Sequence, residues 1–209
     1  MKQADFAGIV PDQYTGKEIK AECHVALSDE SDAKTLFTQS KRRLLCVNNW
    51  HKIAGLISAH FQLLDANGKE VERNAEAGDY IRIDLPGPGS SEGDGYDWVC
   101  IEDLKELKDD NIETLGFRVR PSENPFGKKK ETAHFYSSDA TSSFIINRDG
   151  QKVSAIIIDR NVKPNDDTGS ITDKIRHTTI AMGAIGLFSK LQRQSLAEGF
   201  IQKGNIMNK

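Results

Sequence analysis

The sequence predicts an α+β fold in which a curved antiparallel sheet of six to seven strands grips a long C-terminal helix. Three observations predict it. The chain begins with an alternating strand followed by a helix, and its middle is a series of strand-like segments separated by turns. Residues 171–203 contain no proline and read as one helix. A helix of about 30 residues is about 45 Å long, enough to cover the apolar face of such a sheet.

The first strand and helix are the clearest elements. "KEIKAECHVALS" (17–28) alternates apolar and polar residues, which is typical of a half-buried strand. A helix follows, with Ser31 or Asp32 as its cap, and it ends at Asn48-Asn49. The next residues, "WHKIAG", predict a short helical turn closed by Gly55.

The middle of the chain predicts strand after strand. "DANG" and Asp149-Gly150 are turn sequences that favour hairpins. The first of these turns predicts a returning strand over residues 69–73. The remaining strands are predicted at 56–65, 79–86, 96–104 and 112–121, and on both sides of Asp149-Gly150.

Length and charge limit the classes of function. The 209 residues suit one domain, expected over residues 17–203, with an N-terminal extension (1–16) and a C-terminal tail (204–209). The net charge of −3 gives no electrostatic footprint for nucleic acid. The N-terminus lacks a signal peptide, and the longest uncharged run (177–189) is too short to span a bilayer. We expect a cytoplasmic protein without membrane insertion, and the sequence leaves its oligomeric state open.

The cysteines and the glycine-rich loop argue against a cofactor. Cys23, Cys46 and Cys100 are far apart and form no CxxC pair, which predicts buried, reduced thiols. The loop "LPGPGSSEGDGYDW" (85–98) lacks the Lys-Ser/Thr of a phosphate-binding loop, and a strand rather than a helix follows it. Its acidic residues do not have the spacing of a calcium loop. We therefore expect a flexible connection, no metal and no cofactor.

The order and lengths of the elements resemble the helix-grip fold of the START-like superfamily, which includes Bet v 1 relatives and polyketide cyclases. The resemblance covers about residues 17–203, and "NWHKIAG" (49–55) stands where those proteins often carry a tryptophan-containing turn. It implies a cavity between sheet and C-terminal helix, with loops such as 86–96 at its entrance. Segments 86–96 and 121–139 are longer and more polar than that fold needs. A closed lipocalin-like barrel is disfavoured by the internal helix.

Two sets of polar residues have competing interpretations. His51, beside Trp50, is the histidine most suited to the edge of the core, as a structural group or as a catalytic base. Arg118 and Arg120 share one face of their strand. They predict either a cross-strand ion ladder on the solvent face, which is favoured, or a cationic lining for a carboxylate ligand.

Three functions remain open. The first is binding of a small, mostly apolar ligand, such as a lipid, between the sheet and the C-terminal helix. The second is a cyclase- or hydrolase-like enzyme on the same scaffold, with His51 or Asp159 as acid or base. The third is a protein-interaction or co-chaperone-like module with a filled core. For the first, we expect these side chains to line the cavity: Trp50, His51, Trp98, Phe117 and Phe188.

Overall fold

A computed structural model describes residues 8–54, 59–84, 94–127, 136–163 and 190–204. The elements in chain order are β1 (Lys17–Ala26), α1 (Glu30–Leu45), a 3-10 turn (Val47–Asn49), α2 (Trp50–Ile53), β2 (His60–Leu64), β3 (Tyr80–Asp84), β4 (Asp97–Lys108), β5 (Ile112–Pro121), β6 (Thr141–Asp149), β7 (Lys152–Val162) and α3 (Lys190–Ile201). No helix in these ranges is long and apolar enough to cross a membrane.

One curved antiparallel sheet contains all seven strands, in the order β1-β7-β6-β5-β4-β3-β2. The first strand therefore pairs with the last, and the two helices that follow β1 lead the chain to the opposite edge, where β2 lies. All three helices pack on one face of the sheet, which we call the inner face. The predicted α+β architecture is confirmed. Of the predicted C-terminal helix (171–203), residues 190–203 lie in the described part of the chain and residues 171–189 lie outside it.

The predicted returning strand over residues 69–73 forms only in part, and Asn48 supplies the reason. The chain returns beside β2 with Asp65 N donating to Lys69 O at 2.9 Å and Val71 N to Leu63 O at 3.1 Å, but these residues contribute no regular strand. Only Glu70 forms a bridge, to Leu64, whereas β2 pairs along its length with β3. The Asn48 side chain accepts a hydrogen bond from Leu63 N at 2.7 Å and donates one to Val71 O at 2.8 Å. Asn48 thus bonds to Leu63 N and Val71 O, two groups that would have bonded to each other in a regular antiparallel ladder.

The core between the helices and the inner face is centred on Trp50. Its indole Nε1 donates to Arg43 O at 3.2 Å and Leu44 O at 3.1 Å, which places the ring at the end of α1. Four phenylalanines contributed by β2, β5, β6 and α3 surround it, with ring centroids 4.9–6.0 Å away: Phe61, Phe117, Phe144 and Phe200. Contacts at these distances fill the centre of the core with aromatic rings.

Arg43 links α1 to the C-terminal end of α3. Its buried guanidinium donates to Phe200 O at 3.0 Å and to Gln202 O at 2.6 Å, and also to Gly204 O. These carbonyls are left without partners at the C-terminus of a helix, where a cation is favourable. At its own N-terminus α1 is capped by Asp29, which accepts from Asp32 N at 2.8 Å, so the predicted cap at Ser31 or Asp32 was wrong by two or three residues.

The outer face of the sheet is covered in part by the segment before β1. Ile9 is fully buried against the outer side chains of β6 and β7, and a glycine on β5 leaves room for it. The Asn161 side chain holds the same segment by accepting from Tyr14 N at 2.9 Å and Thr15 N at 3.1 Å. The apolar residues under this cover are Ile145, Ile156 and Ile158.

Candidate functional site

Two carboxyl groups lie on the otherwise apolar inner face, at the end of the sheet where β4 begins and β7 ends. Asp97 is the first residue of β4, and it alternates with Trp98 so that it shares the inner face with Val99 and Ile101. Asp159 lies near the end of β7 and alternates with Ile158, on the same face as Ile157. We call this end of the inner face the acidic end.

Asp97 is buried without compensation. Its side chain is 3 % exposed, its antiparallel partner is the core residue Ile83, and neither carboxyl oxygen has a hydrogen-bond partner in the structure as described. Burial raises the pKa of Asp97 to about 8, because removal from water disfavours the charged form. At neutral pH the group is therefore a carboxylic acid, with one donor and one acceptor that nothing in the described residues satisfies.

Asp159 is buried with a partner. Arg193 of α3 donates from Nε to Asp159 Oδ2 at 2.6 Å, and both side chains are almost completely buried. Burial raises the pKa of Asp159, and the adjacent Arg193 cation opposes that rise. The pair ties α3 to the end of β7. A cavity of about 10 Å³ beside it, bounded by Val119 and Tyr136, is of the size of a single water molecule.

The two carboxyl groups act independently. Asp159 pairs across the sheet with Ser142, and β5 separates that strand from β4, so Asp97 and Asp159 stand three strands apart. Three strand spacings are about 14 Å, too far for two carboxyl groups to share a proton. The acidic end therefore offers one ion pair and, separately, one acid that lacks a partner among the described residues.

The structure brings two of the predicted ligand-lining residues together. Trp50 and Phe117 stack with their rings nearly parallel and their centroids 6.0 Å apart, and both are fully enclosed in the core. A ligand in contact with them would have to separate rings that now touch. Phe188 lies outside the described residues. The role of all three as ligand contacts stays a prediction.

Trp98 lies on the other side of the sheet. It packs on the outer face with Leu64 and Tyr80, and its ring centroid is 6.1 Å from that of Phe126. The alternation along β4 that directs Asp97 inward directs Trp98 outward. Trp98 therefore shares no surface with Trp50 and Phe117, and its contact with a ligand also stays a prediction.

His51 lines a separate polar groove beside the edge strand β2. The groove has a volume of about 790 Å³, and in it the His51 and His60 rings lie with their centroids 5.3 Å apart. Burial lowers the pKa of His51, and His60 and Lys52 lower it further. The imidazole lies between α2 and β2, and its role as a structural group, a ligand contact or a catalytic base stays a prediction.

Arg118 and Arg120 take part in an ion cluster on the outer face, as in the favoured interpretation. Arg118 Nε lies 2.9 Å from Glu102 Oε2, and Arg120 contacts the same carboxylate. Arg118 also donates to Ile9 O at 3.2 Å, which helps to hold the N-terminal segment. These arginines stabilise the outer face and lie on the side of the sheet opposite to the acidic end.

The sequence alone could have predicted that Asp97 faces the core, but Asp97 lies at the end of the polar loop 85–98. Strict alternation from Asp97 through Val99 to Ile101 predicts an inward carboxyl group. In the sequence argument Asp97 counts only as one of the acidic residues whose spacing excludes a calcium loop. Asp94, the other acid of that loop in the described part, accepts a hydrogen bond from Asn124 Nδ2 at 3.0 Å rather than joining Asp97.

Comparison with known proteins identifies the fold. No model of a protein family matches the chain, and no curated protein matches it in sequence. A hypothetical protein from Helicobacter pylori of known structure is 11 % identical, with 93 % of this chain and 91 % of that chain covered and a TM-score of 0.50. Norcoclaurine synthase from Thalictrum flavum is 9 % identical over 90 % of this chain and 88 % of that one, with a TM-score of 0.39.

Major latex-like protein 151 from Panax ginseng is 11 % identical over 88 % of this chain and 99 % of its own length, with a TM-score of 0.39. Within this chain, the strand order places β1 beside β7 and leaves the two intervening helices and α3 on the inner face. That arrangement is the one in which a curved sheet grips a C-terminal helix. The chain therefore has a helix-grip α+β fold.

Proposed function

We propose that the protein binds a small, mostly apolar ligand at the acidic end, between the inner face of the sheet and the C-terminal helix. The observation that carries the proposal is Asp97, a buried carboxyl group with both oxygens unpartnered among the described residues. The helix-grip fold supports it as a scaffold suited to ligand binding.

The energetics of Asp97 favour an external partner. Buried polar groups in proteins are almost always hydrogen-bonded, and an unsatisfied one costs about 1–3 kcal/mol. A bound molecule with one suitably placed polar group recovers this free energy, and its apolar part can contact side chains such as Ile83 and Val99. From the sequence argument we also propose Trp50, Phe117 and Phe188 as further contacts. His51 and Trp98 stay predictions from the sequence only, because His51 lines a separate groove and Trp98 lies on the outer face.

Native mass spectrometry of freshly purified protein tests the proposal. We expect a co-purifying small molecule on the wild-type protein, and its loss from Asp97→Leu, because leucine fills the same space without a hydrogen bond. Asp84→Leu is the matched control, since Asp84 is an exposed carboxylate on the neighbouring strand β3. A folded wild-type protein that carries no small molecule, however gently it is purified, contradicts the proposal.

An enzyme on the same scaffold is the second candidate. A carboxyl group with its pKa raised to about 8 is suited to general acid or base chemistry near neutral pH, and strongly shifted groups concentrate at active sites. Asp97 is better placed for this role than Asp159, whose charge is paired with Arg193. Turnover that follows a single ionisation near pH 8 and disappears in Asp97→Asn would favour the enzyme.

We also propose that the protein works in the cytoplasm. All three cysteines lie in the described part of the chain and are free: Cys23, Cys46 and Cys100. Reduced thiols are typical of reducing compartments.

A further inference from the structure

The apolar surroundings of Asp97 limit which chemical groups of a ligand it can bind. Resting on the proposed function, we propose that Asp97 acts as a neutral carboxylic acid and recognises a ligand group that presents an acceptor beside a donor, as an amide or lactam does. The ligand class is then a mostly apolar molecule with one such group.

The first argument concerns charge. The side chains that flank Asp97 on the inner face, Ile83 across the ladder and Val99 along the strand, are apolar. Burial is the cause of its raised pKa, and no cation among the described residues stabilises the carboxylate. An ammonium ligand would require two ions to lose their hydration in this place, which is costly. An amide brings no charge and leaves the proton on Asp97.

The second argument concerns the number of hydrogen bonds. Both oxygens of Asp97 are unpartnered in the structure as described, so a ligand has one hydroxyl donor and one carbonyl acceptor to satisfy. An amide with its N–H and C=O on the same side forms two hydrogen bonds to a carboxylic acid at once. A ligand carrying a single ether or ketone oxygen accepts from the hydroxyl and leaves the carbonyl oxygen unsatisfied.

Asp159 differs from Asp97 in having a buried cation beside it, which favours its charged form. The Arg193 guanidinium reaches it from α3 with two nitrogens, and both residues are buried together. The structure describes no arginine or lysine in an ion pair with Asp97, although both carboxyl groups occupy the same inner face. This contrast supports a neutral role for Asp97.

Three fluorescent probes of one shape test the inference: naphthalene-2-carboxamide, naphthalen-2-ylmethanamine and naphthalene. We expect wild-type protein at pH 7 to bind the carboxamide at least about tenfold more tightly than naphthalene, which corresponds to two net hydrogen bonds. Asp97→Asn keeps a donor and an acceptor and should retain the preference. Asp97→Leu should abolish it, and Asp84→Leu should leave it unchanged.

The pH dependence distinguishes an acid from a carboxylate in the unmutated protein. The carboxamide preference of wild-type protein should decline above pH 8, where Asp97 loses its proton, whereas Asp97→Asn should keep its preference up to pH 10. Tighter binding of the amine, abolished in Asp97→Asn, would overturn the inference in favour of an ammonium ligand.

Failure of the inference differs from failure of the proposed function. If all three probes bind with equal affinity at the same site, the ligand site exists and the hydrogen-bonding role of Asp97 is wrong. If none of the probes binds and no molecule co-purifies, the proposed function itself fails, and the inference fails with it.

Discussion

Burial of Asp97 lowers the stability of the folded protein at neutral pH. Its pKa is 3.8 in an unfolded chain and about 8 in the folded protein. The folded state therefore binds more protons than the unfolded state between these two values, and the free energy of unfolding falls as the pH rises through that window. A residue that costs stability at physiological pH without a partner is more easily explained by function than by architecture.

The first prediction follows from this linkage. The slope attributable to Asp97 is about 1.4 kcal/mol per pH unit, so Asp97→Asn should gain up to about 4 kcal/mol relative to wild type between pH 5 and pH 8. Urea unfolding of both proteins at the two pH values measures the difference. Parallel pH profiles for the two proteins would show that Asp97 is ionised in the fold.

At the scale of the elements, α3 is fixed by close packing as well as by its ion pair. A Cβ atom at Gly199 would lie 2.3 Å from Ile53 O, so the backbones of α2 and α3 touch at this point. The predicted helix over residues 171–203 contains two further glycines, Gly183 and Gly186, which lie outside the described residues. Helical pattern alone does not tell which glycine meets another backbone.

Gly199→Ala is therefore expected to destabilise the protein, although alanine in a helix is ordinarily better than glycine by about 1 kcal/mol. The steric conflict should outweigh that preference and cost about 1–3 kcal/mol, as overpacking does. Ser195→Ala, one turn earlier on α3 at a half-buried position, is the control and should be neutral or stabilising. A Gly199→Ala protein with a raised melting temperature would contradict the packing.

At the scale of the whole molecule, residues 8–16 pack on the sheet ahead of the predicted domain boundary at residue 17, which itself stays a prediction. Ile9 is fully buried on the outer face of β6 and β7. Ile9→Ala should cost about 2–5 kcal/mol, the range for truncating a buried isoleucine. Tyr14→Ala, at an exposed side chain of the same segment, is the matched control and should cost little. Thermal unfolding compares the two variants, and equal effects would contradict this role of Ile9.

The sequence predicted the architecture better than the site, for physical reasons that particular residues illustrate. Alternation and turn residues depend on near neighbours, so β1 and the hairpin at Asp149-Gly150 could be predicted. The insertion of Asn48 between Leu63 and Val71, and the pairing of Arg193 with Asp159, join residues far apart in the chain. Spacing predicts that Asp97 faces inward, but it carries no information about such long-range contacts, and hence none about the partner of Asp159.

The pairing of β1 with β7 also affects how the protein folds during its synthesis. Lys17 lies opposite Val162, and Arg43 contacts the backbone of residues 200–204. The elements β1 and α1 therefore depend on contacts with β7 and α3, which follow more than 100 residues later in the chain. A nascent chain on the ribosome has no partner for its first strand until most of its length has been synthesised. Contacts of such long sequence separation slow folding. Until β7 and α3 have been synthesised, β1 has no partner strand and the aromatic core around Trp50 lacks Phe200.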